Sequence, residues 1–156
     1  MKRVGIITMH RPISFGSSLQ AYALQKAIQD LGYECQIIDY QYPNRQHKAH
    51  KSSIKIFIRL VIHYFWNILV GMPCLVEYVR FRKFRKKYMN LSRYYKDAEQ
   101  LRLDPPLYDI YCTGSDQVWN SNFTKGDTTF LLSFVKDGVK LSYASSFAVD
   151  YVVDNM

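Results

Sequence analysis

VGIITMHRPISFGSSLQAYALQKAIQDLGYECQIIDY, residues 4–40, carries the pattern that sets the fold class. Val4, Ile6 and Ile7 make a continuous apolar run, as expected for a strand buried on both faces, and it ends in a polar loop at 10–16. Ser17 with Gln20 three residues later has the spacing of a capping box. Leu19, Tyr22, Ala23, Leu24, Ala27, Ile28 and Leu31 then supply an apolar stripe before Gly32 closes the helix. Residues 35–40, centred on Ile37 and Ile38, read as a second strand. Strand, helix and strand within about forty residues form a right-handed βαβ unit with parallel strands. The expected class is α/β, a Rossmann-like open, mostly parallel sheet flanked by helices.

Working outward, residues 97–101 suit a short helix, Pro105 and Pro106 mark a loop, and residues 109–113 lead as a strand into GSDQVWN at 114–120. Two apolar segments follow at 130–135 and 141–147, separated by a turn at Asp137 and Gly138, and Asp150 would cap a last helix. Open parallel sheets bind ligands beside the carboxyl ends of their strands, which is where GSDQVWN falls. The carboxylate of Asp116 and the amides of Gln117 and Asn120 suit sugar hydroxyls, and the indole of Trp119 suits a sugar ring. From chemistry alone the plainer reading is favoured: Gly114 and Ser115 form a turn, Asp116 caps the next segment and Trp119 fills the core. Ser145 and Ser146, in SYASSF, place hydroxyls at another carboxyl edge or satisfy local backbone groups.

The loop after the first strand precedes a helix N-terminus, whose free amides attract anions; His10, Arg11, Ser14, Gly16, Ser17 and Ser18 are its candidates. Only Gly16 stands where a dinucleotide fold would show GxGxxG, so NAD and FAD are rejected despite Asp39 at the end of the second strand. A Walker loop is absent too. Three cysteines, at 35, 74 and 112, form no CxxC pair, which indicates neither a disulfide framework nor a metal site. A reducing cytoplasm fits them, and the opening MKRVGIITM reads as a strand and not a signal peptide.

Charge is unevenly placed in a chain of net +8: residues 41–95 hold twelve Lys or Arg against the single Glu77. The basic character therefore belongs to a helical insert at about 45–92. Within 54–75, Lys55, Arg59, His63 and Asn67 recur every four residues, one polar face of an amphipathic helix that covers the sheet, a partner or a membrane surface. A second helix begins near Leu75 with Tyr78, Phe81, Phe84 and Tyr88 on one side, crowded by Arg80, Arg82, Lys83, Arg85, Lys86 and Lys87. Anionic glycan, lipid or a partner subunit would dock there. Nucleic acid ranks last, since no recognition motif accompanies the charge.

Four ordered motifs resemble the polysaccharide pyruvyl transferase family: residues 4–40 as quoted, FRKFRKKYMNLS, YDIYCTGSDQVWN and KLSYASSF. Where family members often have an Asn before an aromatic residue and Gly, Ser14 stands here. The resemblance implies an enzyme of glycosyltransferase-B-like form. It would move a pyruvyl group from phosphoenolpyruvate, as donor substrate and with no cofactor, to sugar hydroxyls of a polysaccharide repeat, giving a ketal. In that reading Asp116 and His10 are catalytic. Arg11, Ser14, Gly16, Ser17, Gly114, Ser115, Gln117, Trp119, Asn120, Ser145 and Ser146 line the acceptor side. The resemblance covers a single N-terminal domain, 1–156, so a C-terminal domain is expected from elsewhere, a second chain included, with the work done in the cytoplasm or at the inner membrane face. The competing expectation is a non-catalytic module that binds glycan, membrane or a partner through the basic insert.

Overall fold

The computed structural model describes residues 1–42 and 76–149, and the expected helix at 54–75 and the cap at Asp150 lie outside them. The described chain runs β1 (Arg3–Ile7), α1 (Phe15–Asp30), β2 (Glu34–Tyr40), α2 (76–88), β3 (Leu91–Tyr95), α3 (Ala98–Leu103), β4 (Ile110–Asp116), α4 (Ser121–Thr124), a 3-10 turn (Thr128–Leu131) and β5 (Val139–Ser145). All five strands are parallel, in the order β3-β2-β1-β4-β5. The expected α/β open sheet is therefore the observed one.

The alternation of side chains along each strand divides the core in two. Val4 and Ile6 of β1, Cys35 and Ile37 of β2 and Cys112 of β4 pack with Ala21 and Leu24 of α1 on one face. Ile7, Ile38, Tyr40 and Tyr111 point to the other face and meet Leu101 of α3 and the buried Phe130, Leu132, Phe134 and Val135. Ile6, Ile7, Ile37 and Ile38 lose all their exposure, each worth about 1.5–3 kcal/mol relative to remaining in water. The apolar segment at 130–135 is thus core, but it fills the sheet face from irregular chain and adds no strand.

Helix α1 starts earlier than the Ser17 cap expected from sequence. Ser14, extended at φ −148° and ψ 127°, is the N-cap, and its hydroxyl accepts from the Ser17 amide. The helix ends as expected at Gly32, whose φ of +85° lets Gly32 N–H reach Gln29 O and Tyr33 N–H reach Ile28 O. Its buried face is Ser18, Ala21, Leu24 and Gln25, while Leu19, Ala23, Ala27 and Leu31 are exposed, so the expected stripe is rotated. The burial of Gln25 follows from its amide, which donates to Tyr88 O and accepts from Asn90 N–H, joining α1 to the turn between α2 and β3.

Strand β3 is an unexpected element, and with α2 it makes residues 76–95 a working part of the sheet. It is an edge strand in which only Tyr95 is buried, so it carries no continuous apolar run. Strand β5 closes the opposite edge with Val139, Leu141 and Tyr143 exposed on one side. Among the described residues no helix is long and apolar enough to cross a membrane.

Candidate active site

Strand order reverses at β1, because α1 leads from it to β2 on one side while β4 lies on the other. Such a reversal leaves a crevice beyond the carboxyl ends of the two central strands. Thr8, the residue after β1, spans it: its hydroxyl donates to Ser115 O at 3.3 Å and accepts from Gln20 Nε2 at 2.9 Å. β4 continues through Asp116, so Gly114 and Ser115 are strand residues and not the expected turn. Asp116, the last of them, is half-buried at the mouth; one carboxylate oxygen accepts the Gln117 backbone N–H at 2.8 Å and the other the Ser17 hydroxyl at 3.2 Å. With Ser14 serving as the cap, Ser17 is free to face the crevice, and Gly16 lies exposed beside it in the first turn of α1.

Beside the crevice, His10, Arg11 and Asp39 form a second polar group at the ends of β1 and β2. Arg11 grips Asp39 in a two-pronged ion pair, Nε to Oδ1 at 2.8 Å and an Nη to Oδ2 at 2.7 Å, and its guanidinium lies over the Tyr94 ring at 4.5 Å. His10 Nε2 meets Asp39 Oδ1 at 2.8 Å and Nδ1 meets Thr8 O at 3.1 Å. The His10 side chain has no exposed surface, so it lies beneath the crevice floor and not in the cleft. Burial alone would raise the Asp39 pKa, but the hydrogen bonds and charges of His10 and Arg11 outweigh it and hold the carboxyl below its usual value. The acid that would hold a ribose in a dinucleotide fold is here engaged within the chain.

The rest of GSDQVWN divides between wall and support. Gly114 is buried, and a Cβ on it would come within 2.7 Å of Leu24 Cδ2 and 3.1 Å of Ile6 Cγ2, so it lets α1 lie close on β4. Gln117 is exposed at the mouth. Trp119 is half-buried against the core and the Phe147 ring, its indole N–H donating to Phe130 O at 3.3 Å. Asn120 is buried as the cap of α4, accepting from Asn122 N–H. Ser145 donates to Thr113 O, and Ser146 pairs through its backbone with Asp116 O and Trp119 N–H. Ala144, at φ +50°, adopts the left-handed backbone region near this end of β5.

The family model for polysaccharide pyruvyl transferase matches residues 15–152. The chain belongs to this polysaccharide pyruvyl transferase family. No curated protein and no solved structure matches the chain. Membership implies a transferase and a sugar or polysaccharide acceptor. The pyruvyl transferase match begins in the first turn of α1 and takes in Gly16, Ser17, the whole of GSDQVWN, Ser145 and Ser146, while His10, Arg11 and Ser14 precede it. Two polar residues at the crevice, Thr8 and Gln20, carry no motif. Thr8 was hidden as the end of an apolar strand, and Gln20 reads from sequence as a cap partner. In the structure Gln20 Nε2 bonds Thr8 and Ser17 O, while its buried Oε1 has no partner among the described residues. Among those residues no group of three His, Cys, Asp or Glu could hold a metal ion.

Proposed function

We infer that the crevice is the acceptor side of a pyruvyl transfer site, acting on hydroxyls of a sugar in a surface or exported polysaccharide, with phosphoenolpyruvate as donor. The observation that carries the reading is Asp116. It stands at the strand-order reversal, half-exposed, and its carboxylate is aimed by the Ser17 hydroxyl and the Gln117 backbone N–H. In the reaction the enol carbon of the donor gains a proton, its central carbon forms bonds to two sugar oxygens, and the bond to the phosphate oxygen breaks with the electrons leaving on phosphate. Each attacking hydroxyl must surrender a proton. Asp116 is the base or hydroxyl acceptor for that step, a role a half-exposed carboxylate within hydrogen-bond reach can fill.

Gln117 at the mouth contacts the acceptor, and Trp119 and Asn120 hold its wall. His10 acts as a positioning residue, since its ring is engaged by Asp39 and Thr8. A second lobe of the glycosyltransferase-B-like kind, on further chain or on another subunit, would close the crevice and bring the general acid and donor-binding cations. The exposed apolar side of β5 at Val139, Leu141 and Tyr143 supports such a contact. Cytoplasmic action fits the free buried thiols of Cys35 and Cys112.

The test is incubation with phosphoenolpyruvate and candidate glycans, following phosphate release and ketal formation together, alongside glycan binding to the chain. Glycan binding that is lost in Asp116→Asn supports the acceptor-side reading. Unchanged binding and unchanged transfer in that variant would sink it.

A further inference from the structure

Beside Arg11, residues of α2, β3 and the carboxyl end of β2 line a further, open pocket of about 400 Å³. Four cations line it, Arg11, Arg82, Arg85 and Lys86, with the rings of Tyr78 and Tyr94. Among the described lining residues the one carboxylate is Asp39, already shared by His10 and Arg11. Among the described residues no carboxylate lies within ion-pair distance of Arg82, Arg85 or Lys86.

Arg85 is the informative member. It is half-buried, and one Nη donates to Arg11 O at 3.1 Å, which turns the guanidinium inward beside a second arginine. Burial first and the Arg11 charge second push its pKa down. Like charges held together and partly removed from water cost free energy, and a bound anion returns it. The position of Arg85 late in α2 suits the helix dipole, but the dipole does not require the side chain to turn in upon Arg11. Arg11 is also fixed in advance, clamped by Asp39 on one side and stacked on Tyr94 on the other, so little freedom is lost when it binds.

We propose that this pocket binds a phosphoryl group. The oxygens of a phosphate match forked guanidinium donors, and a small concave site suits a compact anion better than a flat polyanion. The pocket borders the carboxyl end of β2, and β1 alone separates β2 from β4, which carries Asp116. The group comes from a phosphate or diphosphate on the acceptor sugar or from the donor. Binding itself does not rest on the pyruvyl transfer reading, because it is measured without turnover.

Calorimetric titration with inorganic phosphate tests it, using the wild-type chain, Arg82→Gln/Lys86→Gln in the pocket, and Lys83→Gln/Lys87→Gln on the same helix outside it. Equal charge is removed in both variants. Arg85→Gln is a second pocket variant, and melting temperatures report whether each folds. Saturable binding is expected, weakened about tenfold or more by Arg82→Gln/Lys86→Gln through lost charge-assisted contacts. Lys83→Gln/Lys87→Gln should change it by less than about twofold, as a screened distant charge would. Displacement of phosphate by a hexose 1-phosphate but not by the parent hexose assigns the site to the acceptor; stronger displacement by phosphoenolpyruvate assigns it to the donor. Absence of saturable binding, or equal losses in the two double variants as for a membrane or nucleic-acid surface, overturns the proposal. Loss of glycan binding in Asp116→Asn with phosphate binding intact would keep the two sites' fates distinct.

Discussion

Ser17 Oγ donates to Asp116 Oδ2 at 3.2 Å, joining the first turn of α1 to the last residue of β4 across 99 positions of sequence. The bond crosses the strand-order reversal, so it aims the carboxylate while leaving it half-exposed. Asp116→Asn keeps the size and an acceptor for Ser17 but removes the negative charge. Transfer should fall about 10²–10⁴-fold if Asp116 takes the hydroxyl proton. Ser17→Ala leaves the carboxylate in place and less well aimed, so a smaller loss is expected. Phosphate release in the presence of phosphoenolpyruvate and glycan ranks the two, with melting temperatures showing that neither has unfolded. A larger loss in Ser17→Ala than in Asp116→Asn would move the chemistry away from the carboxylate.

The Asp39 cluster makes a pH-dependent contribution to stability. Its carboxyl titrates below the usual 3.8 when folded, because His10 and Arg11 hydrogen bonds outweigh burial. On acidification the unfolded chain therefore takes up the proton first. The stabilisation is fully present above the ordinary aspartate value and is lost as pH falls through the lower, folded one. Asp39→Asn should cost about 3 kcal/mol at neutral pH, since it leaves a buried histidine and a clamped arginine without their anion. The gap to wild type should narrow steadily below pH 3.8. Urea unfolding of both proteins across that range gives the measurement, and a gap that stays constant would assign the effect to packing alone.

The βαβ unit was legible because it depends on short-range patterns: a run of apolar residues, a helical period and a glycine that ends it. The Ser17 cap failed for a local reason. Ser14 and Ser17 both have the right side chain, and only the extended backbone at Ser14 decides between them. β3 failed because an edge strand with one buried residue has no hydrophobic pattern to read. The geometry of the candidate site was partly legible. Asp116 was visible by motif and by its place after an apolar run, but its pairing with Ser17 depends on how α1 lies over β4. No periodicity reports that arrangement. His10 was read as a cleft residue because it is polar and follows a strand; its burial against Asp39 could be known only once β2 was placed beside β1.

Gly114 sits where α1 and β4 are closest, and its substitution tests that packing. In Gly114→Ala the new methyl would lie 2.7 Å from Leu24 Cδ2 and 3.1 Å from Ile6 Cγ2. The leucine tip can shift, but Ile6 is fully buried in the central strand. The expected cost is about 1–3 kcal/mol, as for other overpacked cores. Leu24→Ala opens space at the same contact, so the double variant should be less destabilised than the two single losses added together. Simple additivity in denaturant unfolding would mean that α1 does not rest on Gly114.

The thiols give a probe of the sheet face covered by α1 that needs no ligand. Burial pushes the Cys35 thiol up to about 12, aided by Cys112, and burial alone takes Cys112 to about 11. Each is 1% exposed, between β-strands and α1. The reactive species is the thiolate, so both should be silent to an aromatic disulfide reagent at neutral pH while the chain is folded. A Cys74→Ser background isolates the pair. It should show no fast-reacting thiol in buffer and two after denaturation, with the slow reaction in buffer tracking the opening of the sheet. Fast labelling of either cysteine in the folded chain would mean that α1 does not seal this face, and with it that the Ser17–Asp116 contact is not stably held.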